Sequence, residues 1–314
     1  MKILIFLWNP VIIGLIALLL SILWMLRDEK DRTRPVLVMA LVINLFYGFV
    51  LNVVMGREDG LVPWKYDHVL AGLDQVLGLS SPIIARPLQG AWRLPLFVVY
   101  QLMVPMMIVW CIVQKYRHGA GSVVVAYIAE MLTGPLLYAV LPACGPAYAF
   151  RANWLNPPSV HADVVRLSGM PNAFPSLHVG TAIVFVFFAP GKLWRTLSLA
   201  MLIGTAMATI STGEHYVIDL VAGVAFGCFA ASVGYRRNRS AVLFLGIAVG
   251  WSLAVRFGFE TLIAHPWLVR SLSMGTLALG IRAVAEQWRT RPAMVASLPA
   301  FSESGHDGNL RASA

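Results

Sequence analysis

Stretches of apolar residues recur along this chain at about 3–25, 35–55, 94–114, 122–143, 174–190, 194–211, 217–234, 240–258 and 268–287, close to the roughly 20 helical residues that cross a bilayer core. In lipid, a spanning segment of this kind satisfies its backbone N–H and C=O groups by forming a helix. The sequence therefore predicts an all-α, polytopic membrane helix bundle of about nine spans. Composition agrees: 58% of the 314 residues are hydrophobic and 12% are charged, with a mean hydropathy of +0.73. A soluble domain carries about twice that share of charge. The run from Ile3 to Met25 is too long for the apolar core of a signal peptide and lacks a small-x-small cleavage site, so it reads as a retained span.

Short cytoplasmic connectors collect Lys and Arg. The basic connectors after the first, third, fifth and seventh runs are Arg27/Lys30/Arg32/Arg34, Lys115/Arg117, Lys192/Arg195 and Arg236/Arg237/Arg239. All four fall on one side, which makes that side cytoplasmic and places the N-terminus outside despite Lys2. The polar C-terminal tail, with Arg289 and Arg291, is then cytoplasmic, and its aperiodic composition predicts disorder. The net charge of +9 is dispersed over these connectors, which argues against a nucleic-acid partner. Cys111, Cys144 and Cys228 have no metal-binding spacing, and a structural disulfide is not expected.

Two motifs carry the chemistry. Pro171-Asn172-Ala173-Phe174-Pro175-Ser176-Leu177-His178 opens one apolar run, and Ser211-Thr212-Gly213-Glu214-His215-Tyr216-Val217-Ile218-Asp219 opens another. Both histidines are expected at the outer face. A helix brings positions i and i+4 together, so Asp219 can orient the His215 ring and leave its second nitrogen as a nucleophile. His178 can protonate the leaving oxygen and later activate an incoming hydroxyl. This is a phosphoryl-transfer constellation, and a site on the outer face has no access to cytosolic ATP. A lipid phosphate is the expected substrate.

Pro175 is suited to the first position of its helix, which would turn the backbone amides of Ser176 and Leu177, with the Ser176 hydroxyl, toward a phosphate. Arg151 and Arg166, in the connector from 144 to 173, are the nearest outer-face cations and candidates to clamp it. The same connector carries Cys144-Gly145-Pro146, Trp154, Asn156-Pro157-Pro158 and His161. Glu214 lacks the partner spacing of a metal site, and neither metal nor cofactor is expected. Glu130, a carboxylate inside a span, has two readings, a functional group or a hydrogen-bonded contact to Thr133 or a tyrosine. Gly223 and Gly227 have the spacing of a close helix contact. Residues Asp67 to Leu79 follow Trp64 with near-helical apolar spacing, as a helix lying on the bilayer would, either bracing the bundle or guiding a head group.

Phe174-Pro175-Ser176-Leu177-His178 resembles the Pro-Ser-x-His signature of the type 2 phosphatidic acid phosphatase superfamily, and His215-x-x-x-Asp219 matches the end of its last signature. With Gly145-Pro146-Ala147-Tyr148 upstream and His215-Tyr216-Val217-Ile218-Asp219-Leu220 downstream, the chain looks most like the inositol phosphorylceramide synthase-like branch. The resemblance implies a metal-independent enzyme with a six-helix core, His215 as nucleophile, Asp219 as its partner and His178 as acid. Two departures accompany it. Arg86-Pro87 has no matching upstream lysine, and the Ser-Arg pair that opens the last signature falls on Ala208 and Thr209.

The expected organisation is N-terminal spans and an outer segment over 1–93, a catalytic core over 94–235, C-terminal spans over 236–287 and the tail over 288–314. The expected activity is a plasma-membrane lipid phosphatase or phosphotransferase working at the outer or lumenal face through a phosphohistidine. A head-group transferase, a lipid transporter or binding protein, and a catalytically silent relative are the alternatives.

Overall fold

The computed structural model describes residues 62–116, 122–157 and 162–296. The first two expected spans, the connector from Arg27 to Arg34, Arg117, His161 and the chain beyond 296 lie outside the described residues. The rest is almost entirely helical: α1 (Asp67–Leu77), α2 (Ser81–Ala85), α3 (Arg93–Gln101), α4 (Met103–Tyr116), α5 (Val123–Val140), α6 (Pro146–Phe150), α7 (Leu177–Phe188), α8 (Lys192–Ser211), α9 (Val217–Gly234), α10 (Asn238–Ala264) and α11 (Pro266–Ala296). Two short strands, β1 (Trp64–Lys65) and β2 (Val165–Arg166), pair antiparallel with Trp64 opposite Arg166.

Five of these helices are long and apolar enough to cross a membrane: α5, α8, α9, α10 and α11 as far as Thr290. The central one is α9, with 78% of its apolar window buried against 22–44% for the others. Lipid tails are as apolar as the side chains, so close packing rather than water exclusion drives helices together. Glycine supplies that closeness. A Cβ at Gly223 would stand 2.7 Å from Ser176 O, and one at Gly227 would stand 2.5 Å from Gly180 O, both on α7 or its cap. At the far end, Gly234 admits Ser122 O in the same way. The Gly223/Gly227 pair is thus the seam between α7 and α9.

Two expected spans take other forms. The run opening at the first histidine motif forms a helix of only 12 residues, α7, roughly 18 Å long at 1.5 Å per residue. That is short of a hydrocarbon core of about 30 Å. Pro171 and Pro175 before it and Ala189-Pro190-Gly191 after it set its length, and neighbours cover nearly all of it. The run from 94 is broken instead, bending by 46° between Gly90–Gln101 and Pro105–Cys111. Pro105 lacks an N–H and its ring crowds the preceding turn, which accounts for the bend.

The outer segment departs from a surface helix. α1 forms where its apolar spacing predicts and ends at Gly78, whose φ of 80° suits glycine. Its Val69, Leu70 and Leu73 are fully buried against Val221 and Ala222 of α9, Trp251 and Val255 of α10 and Val269 of α11. α1 is therefore part of the bundle, and bracing is the reading its packing supports. It forms with Ser81–Leu88 a pair bent by 74°.

α7 and α9 run in the same direction, each with its histidine at the N-terminal end and a basic connector after its C-terminal end. Lys192 and Arg195 follow α7, and Arg236 and Arg237 follow α9. The Arg195 guanidinium lies 4.8 Å over the Trp288 ring and donates to Trp288 O. The histidine pair and these cations therefore occupy opposite ends of the bundle.

Candidate active site

His215 sits in the turn between α8 and α9, where the residue is 2% exposed. Its Nδ1 lies 2.8 Å from Ala173 O and 3.4 Å from Asp219 Oδ2. The carbonyl can only accept, so Nδ1 carries the proton and donates a hydrogen bond there, leaving Nε2 unprotonated with its lone pair as an acceptor. Nε2 faces His178 Nδ1 at 3.4 Å, with the two rings edge-on and centroids 5.6 Å apart. Burial, reinforced by the neighbouring His178, pushes the His215 pKa down to about 3 against the opposing Ala173 bond. The ring is consequently neutral at physiological pH, as a nucleophile requires.

Asp219 stands one turn into α9, as the i+4 spacing predicts, but its carboxylate divides its attention. Oδ2 accepts from Tyr216 N at 2.7 Å, reaching back to cap the helix. Oδ1 is buried without a hydrogen-bond partner among the described residues. Ala173 O, not Asp219, makes the short contact with His215. The carbonyl is positioned because Ala173 N donates to Ala143 O, tying the first motif to the end of α5.

Ser176 differs from expectation in detail. Its N–H donates to Asp219 O at 3.1 Å and its hydroxyl caps α7 by accepting from Val179 N, so that amide is committed within the protein. Pro175 precedes the helix rather than opening it, because Ser176 takes the extended cap conformation, and Leu177 is the first helical residue. The exposed Arg151 follows α6 with φ 50° and ψ −128°. Arg166 is exposed on β2, opposite Trp64. Among the described residues neither arginine bonds to His178, His215 or Asp219. Glu130 accepts from the Thr181 hydroxyl at 3.1 Å and fills the space that Gly180 leaves, so its partner is on α7 rather than Thr133, whose hydroxyl donates to Ala129 O.

Two carboxylates build the site without touching its histidines. Asp67 accepts from Gly145 N at 2.8 Å, from Cys144 N and from the Tyr216 hydroxyl at 3.1 Å. Asp74 accepts from Val217 N at 2.9 Å and Ile218 N at 3.0 Å, the first two amides of α9, and from the Ser81 hydroxyl. A helix N-terminus favours such an anion through its unpaired amides and its dipole. Sequence reading passed over both. Their signal was a spacing of seven residues, two helical turns, which sets two carboxylates on the apolar face of α1.

Gly145 and Gly213 let the two loops touch. Both have positive φ, and Ala147 N donates to Gly213 O at 2.8 Å. A Cβ at Gly145 would meet Glu214 O at 2.3 Å. Burial lifts the Glu214 pKa to about 7 against an opposing hydrogen bond from Tyr148. A cavity of about 350 Å³ opens beside Tyr216, lined also by Asp74, Gln75, Ser80, Arg86 and Phe150. Arg86 crosses to the 151–157 segment, donating to Leu155 O and Asn156 Oδ1.

In the comparison of the sequence with protein families, the model of the PAP2 superfamily matches residues 68–233, more than half of the chain. The chain belongs to the PAP2 superfamily. Its match begins within α1 and ends within α9, so it takes in the carboxylate helix as well as both histidine motifs. No curated protein and no solved structure matches the chain. Membership in the PAP2 superfamily and the apolar helices are consistent with a membrane phosphatase-like protein.

Proposed function

We propose that this protein is an integral membrane lipid phosphatase or phosphotransferase that uses His215 as nucleophile. The observation that carries the reading is the unprotonated Nε2 of His215, with the ring proton held on Nδ1, facing a second histidine. Nε2 attacks the phosphorus of a lipid phosphate, the bond to the leaving oxygen breaks, and His178 in its protonated form gives that oxygen a proton. Neutral His178 then takes the proton of a water or alcohol, whose oxygen attacks the phosphohistidine and breaks its P–N bond. Asp219 stabilises the ring as it gains charge. No metal or other cofactor takes part in this scheme.

The phosphate clamp is assigned to Arg151, with Arg166 second and the Leu177 amide and Ser176 hydroxyl at the helix mouth. The backbone of Arg151 supports that order, since φ 50°, ψ −128° is a conformation that costs a non-glycine residue about 1–3 kcal/mol. The proposal includes about nine apolar segments around a six-helix core, a plasma-membrane location, a site on the outer or lumenal face and a cytoplasmic C-terminus. Head-group transfer of the inositol phosphorylceramide synthase type is favoured over hydrolysis by one feature, the absence of the usual Ser-Arg pair at Ala208-Thr209.

The test is turnover by purified protein in detergent with chelator, across phosphatidic acid, isoprenyl phosphates and phosphatidylinositol with ceramide, beside His215→Ala. Free phosphate, absent in the variant, establishes a phosphatase, whereas a new head-grouped lipid without free phosphate establishes a transferase. No turnover by folded wild-type protein refutes the enzyme and favours a lipid transporter or binding protein.

A further inference from the structure

His215 is held by a carbonyl and a carboxylate, but His178 is not. Among the described residues its ring meets the edge of His215 and the face of Tyr100, whose ring centroid lies 4.5 Å away at 29°. The contact with His215 cannot persist during the reaction. At 3.4 Å between nitrogens there is no room for a phosphorus atom with its attacking and leaving groups in line, which needs about 3–3.5 Å on the nucleophile's side alone. Once substrate separates the two rings, the stack on Tyr100 is the ring pairing that His178 retains.

Tyr100 is itself well anchored. It packs against the small cluster of Leu88, Leu96 and Ala208, and its neighbour Val99 fills the space left by Gly204 on α8. Gln89, in the same segment, donates to Ser211 O at the end of α8 that leads into the His215 turn. The segment from 86 to 101 is thus fixed to the frame that carries the nucleophile, with Tyr100 presented to the acid.

From this arrangement we propose that Tyr100 is a positioning residue, whose ring holds the His178 imidazole in the orientation that delivers a proton to the leaving oxygen. The inference deepens the proposed reaction and rests on it for its kinetic consequence, but the stacking can be read without turnover. Stacked aromatic pairs contribute through ring geometry rather than the hydroxyl, so phenylalanine preserves the effect and an aliphatic residue removes it.

The experiment compares wild type, Tyr100→Phe and Tyr100→Leu in kinetics and in NMR of the histidine ring protons, with His178→Ala to assign the signal. Tyr100→Leu is expected to lower kcat by about tenfold to a hundredfold with KM within about twofold, and Tyr100→Phe to stay within about threefold of wild type. The His178 ring proton is expected upfield in wild type and Tyr100→Phe and returned toward its ordinary position in Tyr100→Leu. Because the wild-type shift alone reports the stack, a variant that fails to fold does not block the test. An ordinary His178 shift in wild type, or an unchanged kcat in folded Tyr100→Leu, overturns the inference. If no substrate is turned over, the proposed reaction fails while the NMR shift still decides whether Tyr100 holds His178.

Discussion

Asp74→Asn changes one atom and should unsettle the whole site. The carboxylate is 1% exposed, and its two oxygens receive the Val217 and Ile218 amides at 2.9 and 3.0 Å together with the Ser81 hydroxyl. Asparagine offers one oxygen, so its NH2 must face at least one of these donors. A hydrogen bond to a charged group contributes about 1.5–3 kcal/mol, and a buried donor left unpaired costs about 1–3 kcal/mol. The expected loss is therefore about 3–5 kcal/mol, a large part of a typical folding stability of about 5–15 kcal/mol. At about 2–3 °C per kcal/mol, the unfolding midpoint in detergent should fall by roughly 6–15 °C. Turnover should fall by about tenfold or more even below that temperature, because the two amides set where α9 begins and so where His215 and Asp219 stand. Ser81→Ala removes one donor and leaves the carboxylate on both amides, so it should cost about 1 kcal/mol. Scanning fluorimetry and initial rates on the three proteins decide the matter. An Asp74→Asn midpoint within 1–2 °C of wild type, or a Ser81→Ala loss as large, would refute the reasoning.

Arg151→Gly should raise stability by about 1 kcal/mol by relieving its backbone while lowering catalytic efficiency, and unchanged kcat/KM would remove Arg151 from the clamp. Gly145→Ala should prevent proper folding, since its new Cβ would fall 2.3 Å from a carbonyl oxygen at φ 89°, and a wild-type elution profile and melting point would count against the observed loop contact. The His215 pKa, at about 3, lies below the ordinary histidine value near 6.5, so the folded state favours the neutral ring. Its contribution is fully present above about pH 6.5 and is lost as pH falls toward 3, by roughly 2 kcal/mol at pH 5. Melting midpoints of wild type and His215→Ala should therefore converge as pH drops from 7 to 5, and parallel curves would contradict the buried neutral ring. Gly227→Leu should separate α7 from α9 and abolish activity, which a retained kcat would exclude.

The helical class, the membrane setting and the two histidine motifs were legible in the residues themselves. Apolar runs of bilayer length allow few backbone solutions, and the i, i+4 spacing of His215 and Asp219 is a local consequence of helix geometry. Gly223 and Gly227 were equally readable, because a surface without side chains admits a neighbour wherever it lies. Other features depended on segments distant in the chain. Nothing near His215 announces that Ala173 O will accept the hydrogen bond from its Nδ1, or that Asp67 and Asp74, nearly 150 residues earlier, will hold the loops around it. The short α7 and the bent α3–α4 pair also escaped a hydropathy count. A helix enclosed by other helices need not match the bilayer, and a proline breaks an apolar run without altering its composition. Local periodicity determined which segments are helices and where His178, His215 and Asp219 lie along them. Tertiary packing alone decided which buried donors and acceptors meet, because those partnerships depend on distances between segments that no local pattern encodes.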